Sequence, residues 1–271
     1  MPIQYVGGQS LGRTHATGIL DTAYSLTGGL ASTPEVGDLV IYIANASNGV
    51  DYGWGASTFS SYQLTGVADL YSNDTNDTNM GVYYGILTSV PSVWPMPGTA
   101  DSVSSTAVAI AVFRGVDPVN PFDVTSQSAT GIDTGVPTSP SITPITTGSV
   151  AVFGVAATGA SASPIPFTNS NLSGVASAAG NDTTDAYSAV GYKAWSGSGS
   201  ISSGSWTDGP GSSVSNSWAA YTFALRPLQG SIKYWNGSSF SVKPVKYWNG
   251  TSWTRKPVKV WNGSAWVKTN Y

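Results

Sequence analysis

The sequence predicts an all-β protein: an antiparallel two-sheet β-sandwich, jelly-roll-like and internally duplicated, followed by three short β-hairpin repeats. Three observations lead there. Only 9% of the 271 residues are charged, glutamate occurs once, at Glu35, and glycine (32) and proline (16) are abundant; a chain so poor in Glu, Lys and Arg lacks the residues that surface helices. The apolar segments are short, rich in Val, Ile, Tyr and Phe, and punctuated by turn residues. Finally, the chain repeats itself twice, faintly over its first 227 residues and plainly after them.

Asp38 to Ala44 is apolar on both faces, as a central strand of a packed sandwich requires. In Thr106 to Phe113, Ala107, Ala109 and Ala111 alternate with Val108, Ile110 and Val112, so one face is small and the other branched, which suits two sheets in close contact. The Gly- and Ser-rich stretches 156–163 and 196–205 read as loops or edge segments. The duplication is carried by three anchors in one order. Gly37 to Tyr42 parallels Gly148 to Phe153 at an offset of 111 residues, Asn73 to Asp77 parallels Asn181 to Asp185 at 108, and Ser105 to Arg114 parallels Ser217 to Arg226 at 112. These offsets divide residues 1–227 into halves of about 1–115 and 124–227, joined by the segment Gly115 to Asp123.

Charge marks the next boundary. Residues 1–226 hold all 14 acidic residues and four basic ones, a net of −10, whereas residues 227–271 hold seven basic residues and no acid. The break falls at Arg226-Pro227-Leu228-Gln229-Gly230, so residues 228–271 form a separate unit. There, Lys-x-Trp-Asn-Gly recurs three times with a period of 13 residues, at Lys233, Lys246 and Lys259. Asn-Gly between alternating apolar residues signals a hairpin with a two-residue type I′ turn. With Asn236-Gly237 as the turn, Trp235 faces Ser238, and Trp235 and Phe240 sit diagonally on one face. Trp235, Phe240, Trp248, Trp253, Trp261 and Trp266 are therefore either the miniature core of the array or exposed stacking platforms for sugar rings. They are the candidate surface and glycan-contact residues.

The rest of the chemistry is excluded residue by residue. Without cysteine there is neither a disulfide nor a thiolate nucleophile, and the single histidine, His15, rules out a histidine metal cluster within a chain. No nucleophile elbow, phosphate-binding loop or dinucleotide motif is present, so no catalytic, cofactor-binding or metal-ligating residue is assigned and no cofactor is expected. Asp74 with Asp77, and Asp182 with Asp185, lie in Asn/Thr-rich segments that read as solvated turns; calcium binding at 73–77 and 181–185 stays an open alternative. The basic array is spread too thinly beside its acidic neighbour to imply nucleic acid binding. No apolar run approaches the roughly 18 residues of a membrane helix, so no membrane insertion is expected, and Met1-Pro2-Ile3-Gln4 does not open a signal peptide, which implies synthesis in the cytoplasm.

The terminal pattern Val-Lys-x-Trp-Asn-Gly-Ser/Thr-x-Trp-x-x-Lys-Pro over residues 232–269 resembles repeats that end many minor tail proteins of tailed bacteriophages. The segments Phe113 to Asp123 and Ser217 to Pro227 are similar to motifs of a β-sandwich found in such virion proteins. That resemblance implies a non-enzymatic virion component of a minor tail, fibre or spike, located in the particle, contacting other virion proteins and host cell-surface polysaccharide. By analogy with phage fibres it implies a homo-oligomer, with a trimer as first expectation. A free carbohydrate-binding module or lectin is the alternative, and a polysaccharide hydrolase the third.

Overall fold

Each half of residues 1–227 builds one complete sheet. The structure is a computed structural model that describes residues 2–15, 17–47, 49–54, 59–98, 104–132, 134, 136–161, 163–181, 184–210, 216–228, 231–235, 237–238, 240–256, 258–261 and 266–268. The first half carries β1 (Gln4–Arg13), β2 (Ile19–Ala23), β3 (Leu39–Ser47), β4 (Thr65–Ser72), β5 (Thr78–Ile86), β6 (Val93–Pro97) and β7 (Thr106–Arg114). The second carries β8 (Gln127–Gly131), β9 (Val150–Gly159), β10 (Ile165–Thr168), β11 (Ser173–Gly180), β12 (Asp185–Ala194), β13 (Thr207–Gly209) and β14 (Trp218–Leu225). One five-stranded sheet runs β1-β7-β3-β5-β4 and the other β8-β14-β9-β12-β11, antiparallel throughout. Strand for strand the two orders are the same.

The registers repeat at the offsets seen in the sequence. Leu39 opposes Phe113 and Ile86 in the first sheet, while Val150 opposes Leu225 and Ala194 in the second. Ser72 opposite Thr78 corresponds likewise to Gly180 opposite Ala186. Across the sheets, two isolated bridges, Asn76–Asn216 and Ser104–Thr184, exchange places when the halves are exchanged. The side-chain bonds follow suit: Ser217 Oγ donates to Asn76 O at 2.6 Å, and Ser105 Oγ to Thr184 O at 3.1 Å. This is pseudo-twofold symmetry at the level of single hydrogen bonds.

In β7 the small residues lie between the sheets and the branched ones outside. Ala109 and Ala111 join Leu39, Ile41, Val152 and Phe223 in the core between the two sheets, whereas Val108, Ile110 and Val112 point to an outer layer with Tyr42, Trp94 and Met96. That outer layer over the first sheet is the β2–β6 ribbon, whose Pro95 and Pro97 fit a two-stranded edge element. Over the second sheet the corresponding connections meet at the Ile142–Ile201 bridge and at Trp206 Nε1, which donates to Ser139 Oγ at 3.1 Å, and Phe167 and Trp206 fill the space. The central strands β3, β7 and β9 are thus buried on both faces, as the two-faced sequence of β3 requires, while the edge strands β4 and β8 stay partly exposed. Residues 156–159, expected as loop or edge, instead continue the fully buried central strand β9; a Cβ added at Gly159 would lie 2.5 Å from Pro210 Cβ.

The sandwich closes along one side, where β1 meets β11. Tyr5 Oη donates to Gly174 O at 3.0 Å and Ser10 Oγ to Ser177 O at 2.7 Å. A Cβ added at Gly12 would lie 1.8 Å from the backbone oxygen of Ala179, so only a shift of one whole strand could accommodate it. Gly12→Ala is expected to cost about 1–3 kcal/mol, the usual penalty of overpacking, read as a lowered midpoint of urea unfolding.

Candidate functional site

The hairpin repeats supply the exposed aromatic chemistry. They consist of β15 (Ser231–Trp235) with β16 (Phe240–Pro244), β17 (Lys246–Trp248) with β18 (Trp253–Arg255), and β19 (Lys259–Trp261) with β20 (Trp266–Lys268). Their register corrects the two-residue turn expected from Asn-Gly. Trp235 opposes Phe240, Trp248 opposes Trp253, and Trp261 opposes Trp266, leaving four residues in each loop. A type I′ turn needs positive φ at both central residues. Gly250 adopts it, at 103°, but Asn249 is not among the positive-φ residues. Its side chain works instead as a cap. Oδ1 accepts from the backbone N–H groups of Thr251 at 2.9 Å and Ser252 at 2.7 Å, taking the place of the main-chain carbonyl, while Asn249 N donates to Ser252 O at 3.0 Å. The turn is therefore centred one residue later, on Gly250-Thr251.

This slip brings the aromatic residues directly opposite each other instead of diagonally, the closest cross-strand arrangement on one face. The Trp248 and Trp253 rings lie 5.8 Å apart, tilted by 59°. Neither is covered: Trp248 is 53% exposed and Trp253 66%, and Trp235 and Trp266 are comparably open at 57% and 64%. The side chains of Phe240 and Trp261 lie outside the described residues, which fix only their register. On the opposite face of the second hairpin, Lys256 Nζ sits 4.7 Å above the half-exposed Tyr247 ring. The same chain buries tryptophan thoroughly where it needs a core, at Trp54, Trp94 and Trp206, so exposure in the repeats is a property of the repeats. Each of the four described tryptophans is thus more than half exposed in the single chain.

The sandwich holds its polar residues in structural roles. Asp77 and Asp185, expected in solvated turns, are buried at the starts of β5 and β12. Asp77 accepts from Asp74 N at 2.7 Å and from the Tyr71 hydroxyl at 2.5 Å, and burial together with that carboxylate pushes the Tyr71 hydroxyl up to about 12. Asp185 accepts from Ser161 N at 2.8 Å. Their acidity is spent on backbone and phenol donors because a buried carboxylate must be paired. Asp182 lies outside the described residues. Among the described residues no three His, Cys, Asp or Glu side chains cluster as a metal site. His15 is exposed on the loop after β1.

Two shallow grooves, which nothing in the sequence marked, flank β11. One of about 460 Å³ is lined by Tyr5, Gln9, Ser10 and Ser177, and one of about 540 Å³ by Phe167, Asn169, Leu172 and Thr207. In the first, Gln9 is occupied with Ala23 O and Ser25 N, and Tyr5 and Ser10 with backbone oxygens of β11, while the buried Ser177 Oγ has no hydrogen-bond partner. Comparison with protein-family models, with curated proteins and with solved structures gives no match.

Proposed function

We propose that the chain is a non-enzymatic structural component of a tailed-phage virion, in a minor tail, fibre or spike, with the duplicated sandwich packing into or projecting from the particle and the hairpin repeats contacting the host surface. The observation that carries this reading is the periodic presentation of exposed, directly paired aromatic residues, with Trp248 and Trp253 as the best-defined pair. One tryptophan pair binds a sugar ring weakly. Three copies per chain, multiplied by oligomerisation, raise the effective concentration of each further contact and convert weak sites into firm attachment. The low charge, absence of cysteine and central strands buried on both faces suit a protein that works outside the cell. By analogy with phage fibres, other virion proteins and further copies of the chain, in a trimer, are its partners.

The test compares the full chain with one shortened to end at Leu228, whose N–H still reaches Gly115 O at 2.7 Å and closes the sandwich. Host cells and their isolated surface polysaccharide should retain the full chain and release the shortened one. Equal retention of both removes the repeats from recognition. A free carbohydrate-binding module would use the same faces, and copurification with virions separates it from a particle component; new reducing ends released from the polysaccharide would point to a hydrolase.

A further inference from the structure

We propose that the paired-aromatic faces recognise an acidic polysaccharide, with sugar rings against the tryptophans and carboxylate or phosphate groups of the polymer against cations beside them. This rests on the adhesion reading above and specifies its ligand. In the second hairpin, Lys246 opposes Arg255 two residues from the Trp248–Trp253 pair, and alternation along the strands places all four residues on one face. The third hairpin repeats the arrangement with Lys259 opposite Lys268 beside Trp261 and Trp266, and the first keeps one cation, Lys233, opposite Val242. Lys246 and Lys259 are exposed. Each cation therefore lies about 7 Å along the strand from an aromatic residue. With no acidic residue anywhere in 227–271, nothing within the array neutralises these charges.

A row of like sites at a fixed 13-residue period addresses a ligand that is itself periodic. The acidic sandwich of a neighbouring copy is a weaker match: Asp38, Asp77, Asp117, Asp123 and Asp185 are buried and take protein donors, and the exposed Asp21, Glu35, Asp51, Asp69 and Asp208 follow no 13-residue period. Single-stranded nucleic acid also combines flat rings with negative charge, but it carries a phosphate at every nucleotide and calls for a denser cation track than one cross-strand pair per hairpin.

The full chain is run in native affinity gels containing polygalacturonate, the same polymer fully methyl-esterified, galactosylated poly(glycerol phosphate), neutral dextran or poly(dT). Retardation by the free-acid polymer should exceed that by its ester about tenfold, since two or three exposed ion pairs add modestly each and multiply across repeats. Added salt should erase the difference. The variant Lys246→Gln/Lys259→Gln, which removes two of the five cations on these faces, should lose much of the excess yet keep its binding to the ester, and Trp248→Ala/Trp253→Ala should weaken both, while an unchanged melting transition shows that the sandwich of each variant is folded. Whether the carboxylate or the phosphate polymer binds more tightly identifies the source of the anion. Equal retardation by acid and ester overturns the anionic preference and leaves the adhesion reading standing. No retardation by any glycan, including isolated host polysaccharide, sinks both, and tighter binding of poly(dT) replaces the polysaccharide with nucleic acid.

Discussion

Tyr42→Ala is expected to lower the stability of the sandwich by about 3–5 kcal/mol, the range for removing a large buried aromatic side chain. Tyr42 sits in the middle of β3, fully buried, with its ring edge-on to Phe59, Tyr83 and Trp94 at 5.3, 5.7 and 6.4 Å. Its hydroxyl donates to Pro95 O at 2.9 Å, so one side chain fastens the first sheet to the β2–β6 ribbon that covers it. Alanine opens a cavity and strands that carbonyl together. Tyr42→Phe separates the two effects: packing is retained, and the loss should fall to about 1 kcal/mol, the worth of one neutral hydrogen bond. Urea unfolding followed by tryptophan fluorescence measures both. A cost below 1 kcal/mol for the alanine variant would mean that the ribbon is not an integral layer of the fold.

Asp123→Asn is expected to cost about 2–3 kcal/mol at neutral pH, in line with loss of charge-assisted bonds to a buried carboxylate. Oδ2 accepts from the N–H groups of Ile145 at 2.6 Å and Thr146 at 2.8 Å and from Ser149 Oγ at 3.1 Å, while Oδ1 takes Arg226 Nε at 3.3 Å. An amide in that position turns an NH2 group toward the guanidinium or the backbone donors. Burial by itself pushes the Asp123 carboxyl up, but the hydrogen bonds from Thr146, Ile145 and Ser149 outweigh it and hold the group below its ordinary value. A carboxyl depressed in the folded state stabilises the fold at pH values above its unfolded pKa of about 4, and that contribution is lost as the pH falls through the folded value. The native chain should therefore lose stability between about pH 5 and pH 2 more steeply than Asp123→Asn. Parallel acid limbs for the two proteins would show that Asp123 is not a source of the acid sensitivity.

The same site shows how duplication survives divergence. In the first half the Gly37-Asp38 turn carries its own carboxylate, which accepts from Glu35 N at 2.8 Å and pairs with Arg114 at 2.8 Å. In the second half that position is Ser149, and Asp123 reaches in from the inter-half connection to serve the turn and Arg226. Sequence offsets were enough to align the halves, because the strands must keep register to keep their faces. They could not reveal that the acid had moved to another segment, since what is retained is a charge in space. The alternation of Ala with Val and Ile in β7 was readable for the same periodic reason. The β2–β6 ribbon was not: its strands are short, one contains two prolines, and its burial comes from lying across a sheet that is distant in sequence. In the repeats the period and the shared aromatic face were legible, but the direct pairing and the loop were not, because Asn-Gly is compatible both with a two-residue turn and with an asparagine capping a longer one.

The junction after β14 also has a mechanical meaning. Pro227 bridges Val116, Asp117 N donates to Arg226 O at 2.9 Å, and Arg226 N to Pro121 O at 2.8 Å, so the chain leaving for the hairpins is laced to the chain that links the two halves. A pull on the hairpins first loads this clasp and then the end of β14, an inner strand bonded by β9 along its length and on its other side by Phe122 at Leu225 and by β8 from Thr222 back to Trp218. Tension along β14 must shear those two ladders together, whereas an edge strand could be peeled away one bond at a time. A tether that ends in an inner strand passes force into the whole second sheet.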